Sequence, residues 1–170
     1  RELKVQILLY RAAIAQQGYT APKTAEALRR ARELCEALDD QAVLPFVIYG
    51  QWITAWAGAA LAAALERART MLERGESRDN ATLKSYGHFT IGVSLMLMGK
   101  FDKARHQLET ATALDSFAFS GSDFFTWGEG LTRASSLFAL NVSLFLMGWP
   151  GQAEAAACGA AAHTVSQPYS

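Results

Sequence analysis

Three histidines, two cysteines and scattered serines are the side chains in this sequence whose chemistry goes beyond packing. Asp102, His106 and Glu109 stand four and three residues apart. On a helix that spacing puts them on one face, where two carboxylates and an imidazole would approach a divalent cation together. Nothing else in the sequence completes a coordination sphere, so the trio reads as a solvated face with a mild helix-stabilising pair. His163 falls near a helix end, where a cation is favourable, and His88 lies in an apolar stretch as a satisfied core residue. Cys35 and Cys158 are too far apart to suggest a disulfide framework or a metal site, and both read as small core residues of a reducing cytosol. Ser94, Ser120, Ser122, Ser135, Ser136 and Ser143 stand in no nucleophile elbow. Gly128-x-Gly130 lacks the third glycine and the preceding strand that a phosphate cradle needs, and no P-loop is present. With no converging acid, base, nucleophile or metal set, the sequence predicts no catalysis and no cofactor within this stretch.

The elements that would position these residues are helices. Strand-type alternation is rare, and alanine, leucine, arginine and glutamate dominate. In 24–38, Ala27, Ala31, Leu34 and Leu38 recur at three- and four-residue steps, with Arg29, Arg30, Arg32, Glu33 and Glu36 on other faces. Ala104, Leu108, Ala111 and Leu114 do the same in 102–114. Each is an amphipathic helix with one buried stripe. Hydrophobic residues make up 51% of the 170 and charged residues 19%, enough to build a continuous core. Sixteen basic residues balance sixteen acidic ones, so no net field steers the chain to nucleic acid or an anionic membrane. Gln41 to Leu65 carries no charge and is long enough to span a bilayer, but Pro45, Gly50, Gln51 and Gly58 interrupt it and its second half is mostly alanine. It reads as two helices divided at Gly58.

A longer apolar helix ending at glycine, followed by a shorter alanine-rich one, occurs four times. The glycines are Gly18, Gly58, Gly99 and Gly148, spaced by 40, 41 and 49 residues. Each is read as a left-handed helix stop. Ala27, Ala64, Ala104 and Ala153 follow near the start of each second helix, where a small side chain permits close packing. The units run at about 1–40, 41–80, 81–116 and 131–167, with a longer turn Gly18-Tyr19-Thr20-Ala21-Pro22 and a loop at about 115–130 that holds Phe117, Phe119, Phe124, Phe125 and Trp127. That loop is read either as a functional element or as a plug for the array.

The third unit reads Ile91-Gly92-x2-Leu95-x3-Gly99-x-Phe101-x2-Ala104-x3-Leu108-x2-Ala111. This order of small and large residues resembles the tetratricopeptide repeat, with Gly92 and Ala104 at its two close helix approaches and Phe101 at its turn. The fourth unit repeats the pattern's end from Leu140 through Gly148 and Pro150 to Ala160. The unit lengths depart from the usual one of about 34 residues. With Gly18-Tyr19-x2-Pro22, 31–35, 146–153 and 167–170, they resemble the degenerate tetratricopeptide region C-terminal to the ATPase module in bacterial signalling proteins. Many of those carry a class III adenylate/guanylate cyclase domain, and similar regions occur in maltose-regulator-type activators. The start at Arg1 and the ending 167–170 are read as those of a segment of a longer array.

The resemblance implies an all-α, right-handed superhelical solenoid of about four antiparallel helix pairs, forming a single repeat domain over 1–170. It also implies a concave groove lined by the first helix of each pair. Carried over unit by unit, that lining is Ile48, Trp52 and Trp56, then Tyr86, Phe89, Val93 and Met96, then Phe138, Val142 and Phe145, with Gln16, Gln51 and Asn141 as the few polar candidates. Such a groove is apolar and lacks a lysine–arginine clamp for a peptide carboxylate. The same aromatics at helical spacing also read as core. The function implied is a non-catalytic, cytoplasmic protein-interaction or regulatory module in signal transduction. Its partner would be a protein or a neighbouring domain, not nucleic acid or membrane. The alternative is a solenoid that senses a small molecule in an aromatic pocket.

Overall fold

The computed structural model describes residues 2–40, 43–114 and 131–166. The described residues form eight α-helices and no strand: α1 Glu2–Gln17, α2 Pro22–Leu38, α3 Leu44–Ala57, α4 Leu61–Ser77, α5 Ala81–Leu97, α6 Phe101–Ala113, α7 Leu131–Leu146 and α8 Pro150–Ser166. The chain is therefore all-α. The aromatic segment 115–130 lies outside the described residues. Residues 41–65 divide between α3 and α4, and among the described residues no helix is long and apolar enough to cross a membrane. Two compact units, Arg1–Arg67 and Ala68–Ser170, divide the chain within α4.

In the first unit, α1 buries Leu3, Ile7 and Tyr10, three residues at helical spacing, and α2 folds back on it. Pro22, expected in the turn, is instead the first residue of α2, where a missing amide costs nothing. Thr24 Oγ1 donates to the Gly18 carbonyl at 2.9 Å and ties the turn to the helix it precedes. The buried stripe of α2 is Thr24, Ala27, Leu28, Ala31 and Cys35. Its outer face neutralises itself, with Arg29 between Glu26 and Glu33, and Arg32 against Glu36. Gly50 of α3 fits where α1 and α2 both press in. A Cβ there would lie 2.8 Å from Leu28 Cδ1 and 3.0 Å from the Tyr10 hydroxyl. The Tyr10 ring meets Phe46 edge-on with centroids 5.8 Å apart.

In the second unit the helices pack in antiparallel hairpins, α5 with α6 and α7 with α8, and α7 packs on both α5 and α6. Glycines set the closest approaches. A Cβ on Gly92 would sit 2.6 Å from Leu108 Cγ and 3.4 Å from the Ala104 carbonyl oxygen. This is the close approach expected of Gly92 and Ala104. Between α4 and α5 the backbones themselves come near: a Cβ on Gly75 would meet Lys84 N at 2.6 Å, and one on Gly87 would meet Leu72 Cα at 2.8 Å. Ala27, Ala64, Ala104 and Ala153 are all buried, as their spacing predicts.

The helix stops are more regular than the glycines suggest. Asp39, Ala59, Asp79 and Gly99 all take a left-handed φ, and they stand twenty residues apart. At each, two amides bond back to the last turn; Gly99 N donates to Met96 O and Lys100 N to Leu95 O. Gly58, expected to be a left-handed stop, has φ −82° instead. Ala59 takes the strained conformation at φ 56°, with Ala59 N donating to Trp56 O and Ala60 N to Ala55 O. The stop therefore falls one residue past the glycine, and a non-glycine residue accepts the cost of about 1 kcal/mol or more.

Candidate functional site

The ten residues predicted to line a groove divide by burial. In the first unit, Ile48 and Trp52 are buried, whereas Trp56, one turn further along α3, is 38% exposed. Tyr49, Trp52 and Trp56 form a continuous aromatic ledge. Tyr49 and Trp52 have centroids 5.4 Å apart, and Trp52 and Trp56 stack at 6.2 Å with 26° between their planes. Helical spacing of three and four residues aligns them. Trp52 is held by the core and fixes the ring that Trp56 lies against, so the exposed indole sits on a rigid base. α3 carries no charged residue. Tyr49 was missed by sequence reasoning, although its position three residues before Trp52 was a sufficient signal.

In the second unit, Phe89 and Val93 are buried and Tyr86 and Met96 half-buried on α5. On α7, Val142 is half-buried and Phe138 and Phe145 are each 66% exposed. Leu146 and Trp149 extend that exposed face, and Arg105 of α6 covers Trp149 with its guanidinium carbon 4.5 Å from the ring centroid. Asn141, named as a polar groove candidate, binds within the hairpin instead: its Nδ2 donates to the Ala153 carbonyl at 2.6 Å. Gln16 is exposed on α1 and Gln51 half-buried on α3.

Several of the groups with chemical potential have structural partners. His88, half-buried, donates from Nδ1 to Gln107 Oε1 at 2.8 Å and so links α5 to α6. Glu109 pairs with Arg105 at 2.6 Å, and His106 is exposed. Among the described residues no group of three histidine, cysteine or acidic side chains is placed to hold a metal ion. Ser94 and Ser143 donate to carbonyls one turn back in their own helices, Thr90 O at 2.7 Å and Ala139 O at 2.9 Å. The hydroxyls of Ser85 and Ser136 are buried with no hydrogen-bond partner among the described residues. Ser120 and Ser122 lie outside the described residues, as do the side chains of 163–166, His163 among them.

Cys35 is core, as expected, and its thiol donates to the Asp40 carbonyl at 3.3 Å. Cys158 is a correction: it is exposed. The buried face of α8 runs through Ala153 and Ala156, and a residue two places beyond Ala156 points away from it. Burial pushes the Tyr10 hydroxyl up to about 12, against a smaller opposing effect of its hydrogen bond with Thr54. This is a packing effect of the first unit's core, on a residue turned inward rather than towards the ledge.

No protein-family model matches the chain, and no curated protein or solved structure matches it either.

Proposed function

We propose that this chain is a non-catalytic binding module, a right-handed solenoid of tetratricopeptide-like helix pairs, whose α3 ledge receives an apolar segment of a protein partner. The observation that carries this reading is the exposed Trp56 indole stacked on the buried Trp52 ring. A rigid aromatic with one open face gives large contact area and loses little conformational freedom on binding, which is why Trp and Tyr dominate interface energetics. The absence of charge along α3 favours an apolar contact over capture of a peptide carboxylate. The close approach of Gly92 to α6 supports the repeat reading. The parent we propose is a cytoplasmic bacterial signalling protein with an ATPase or nucleotide-cyclase module, supported by the resemblance of the segments around Gly18, Ala31 and Gly148. Binding at the ledge would then regulate that module.

The test is a peptide display library selected on the wild-type chain and counter-selected on Trp56→Ala. Aromatic or aliphatic peptides that quench tryptophan fluorescence and bind the variant at least about tenfold more weakly support the reading, a loss of about 1.4 kcal/mol. Peptides that bind both chains equally defeat it. A rise in Tm with a metabolite that disappears in Trp56→Ala would support the small-molecule alternative.

A further inference from the structure

The large apolar side chains left exposed in the second unit are not spread evenly. Leu97 is 44% exposed, Leu146 57% and Trp149 40%, with Phe145 exposed beside them. Apart from Phe138, every large hydrophobic side chain exposed among the described residues of this unit stands within three residues of Gly99 or Gly148. Those glycines are the left-handed stops of the α5–α6 and α7–α8 turns. The two turns share one edge, because Arg105, near the start of α6, sets its guanidinium over the Trp149 ring. The α4–α5 turn, at the far end of α5, is of the opposite kind. It holds Glu76, Arg78, Asp79 and Lys84 and exposes no large apolar side chain. Within five residues of Gly99 or Gly148 the ionic side chains are Lys100, Asp102 and Lys103, all exposed, two positive and one negative. This edge is therefore apolar and faintly basic.

We infer that this edge rests on a phospholipid bilayer, with Leu97, Leu146 and Trp149 set into the headgroup boundary and Lys100 and Lys103 among anionic phosphates. Helices rise 1.5 Å per residue, so side chains within three residues of a stop lie within about 5 Å of the edge, a depth at which interfacial elements insert. Tryptophan suits that boundary, where its ring meets acyl chain and its N–H stays wet. These side chains cluster on two turns at one end of paired hairpins rather than along a helix groove, which fits a flat surface better than an inserted peptide. The neutral chain exerts no long-range pull on an anionic membrane, so apolar contact carries most of the affinity and the lysines a smaller share. Net charge was the ground for expecting no membrane partner, and it does not bear on insertion at short range. Among the described residues no helix can cross a bilayer, so the contact is peripheral. It uses the second unit rather than the α3 ledge and stands independently of the partner proposed there.

Flotation of the chain with vesicles of phosphatidylcholine alone, and of phosphatidylcholine with phosphatidylglycerol, reads the contact directly. Both should bind it, the anionic vesicles about fivefold more tightly, as one net charge at the surface gives. Leu146→Glu and Leu97→Gln should each weaken binding to neutral vesicles by about tenfold, through the leucine surface no longer withdrawn from water. Both residues are exposed, so circular dichroism should show the helices intact. Lys100→Gln with Lys103→Gln should abolish the preference for anionic vesicles and leave neutral binding unchanged. Lipids brominated on their acyl chains should quench the wild-type fluorescence, and Trp149→Phe, which keeps an aromatic ring in place, should lose that quenching. A wild-type chain that floats with neither vesicle at about 2 mM lipid overturns the inference, since even weak peripheral anchors bind there. Binding to anionic vesicles alone overturns it as well, because such a contact is purely electrostatic. So does binding that both leucine variants retain in full, or quenching that survives Trp149→Phe.

Discussion

Gly92 of α5 lies against Leu108 of α6 so closely that a single added methyl would fall 2.6 Å from the leucine Cγ. Two helices in van der Waals contact cannot admit that carbon without moving apart or turning the leucine out of its rotamer. Gly92→Ala should lower unfolding stability by about 1–2 kcal/mol in urea melts, the overpacking penalty being partly offset by alanine's better helix propensity. Leu108→Ala in the same chain should recover part of the loss, so the double variant should be less destabilised than the sum of the singles. Gly87→Ala should cost more, roughly 3 kcal/mol, because it meets the backbone of Leu72 rather than the end of a side chain.

The end of α3 offers a stabilising substitution. Ala59→Gly relieves a left-handed alanine and should raise stability by about 0.5–1 kcal/mol. Gly58 is right-handed, and a Cβ there meets nothing nearer than 3.4 Å, so Gly58→Ala should gain a similar amount. Gly99→Ala should lose about 1 kcal/mol, because Gly99 does take φ 72°. If Gly58→Ala destabilises and Ala59→Gly does nothing in thermal melts, the assignment of the stop to Ala59 is wrong.

Tyr10 predicts an alkaline limit. Its hydroxyl titrates near 10 when unfolded and is pushed up to about 12 in the fold. Between those values the folded chain holds a proton that the unfolded chain has released, so stability falls as pH rises. The contribution is fully present below pH 10 and is lost on passing 12. Tyr10→Phe should be less stable at neutral pH by about 1 kcal/mol, through its lost hydrogen bond with Thr54. Its Tm should nevertheless fall less steeply than the wild type's above pH 10.

Trp52 and Trp56 should separate packing from recognition. Trp52→Ala empties a core position and should cost about 3–5 kcal/mol in denaturant melts. Trp56→Ala, with its open face, should shift stability far less while abolishing peptide selection on the ledge. Equal losses of stability in both variants would make the ledge a packing feature.

Residue periodicity alone specifies the helices and several of their close contacts. Apolar residues at three- and four-residue steps have one burial pattern available to them, and Ala27, Ala64, Ala104 and Ala153 all proved buried because little but a methyl fits where helices cross. Gly92 was legible for the same reason. Gly50, Gly75 and Gly87 were not, because their crossings depend on which residue of the neighbouring helix lies opposite. Cys158 failed in a similar way: its residue type favours burial, but its angle on α8 faces away from the core. Gly58 and Ala59 show that the left-handed stop need not fall on the glycine beside it. The clearest limit is the pair Phe89 and Phe138. The two phenylalanines occupy equivalent places before a glycine stop, yet one is core and the other surface. Burial belongs to the neighbour as much as to the residue: α7 packs beside the helix that carries Phe89, and that pairing is a property of the fold rather than of either phenylalanine's place in its helix.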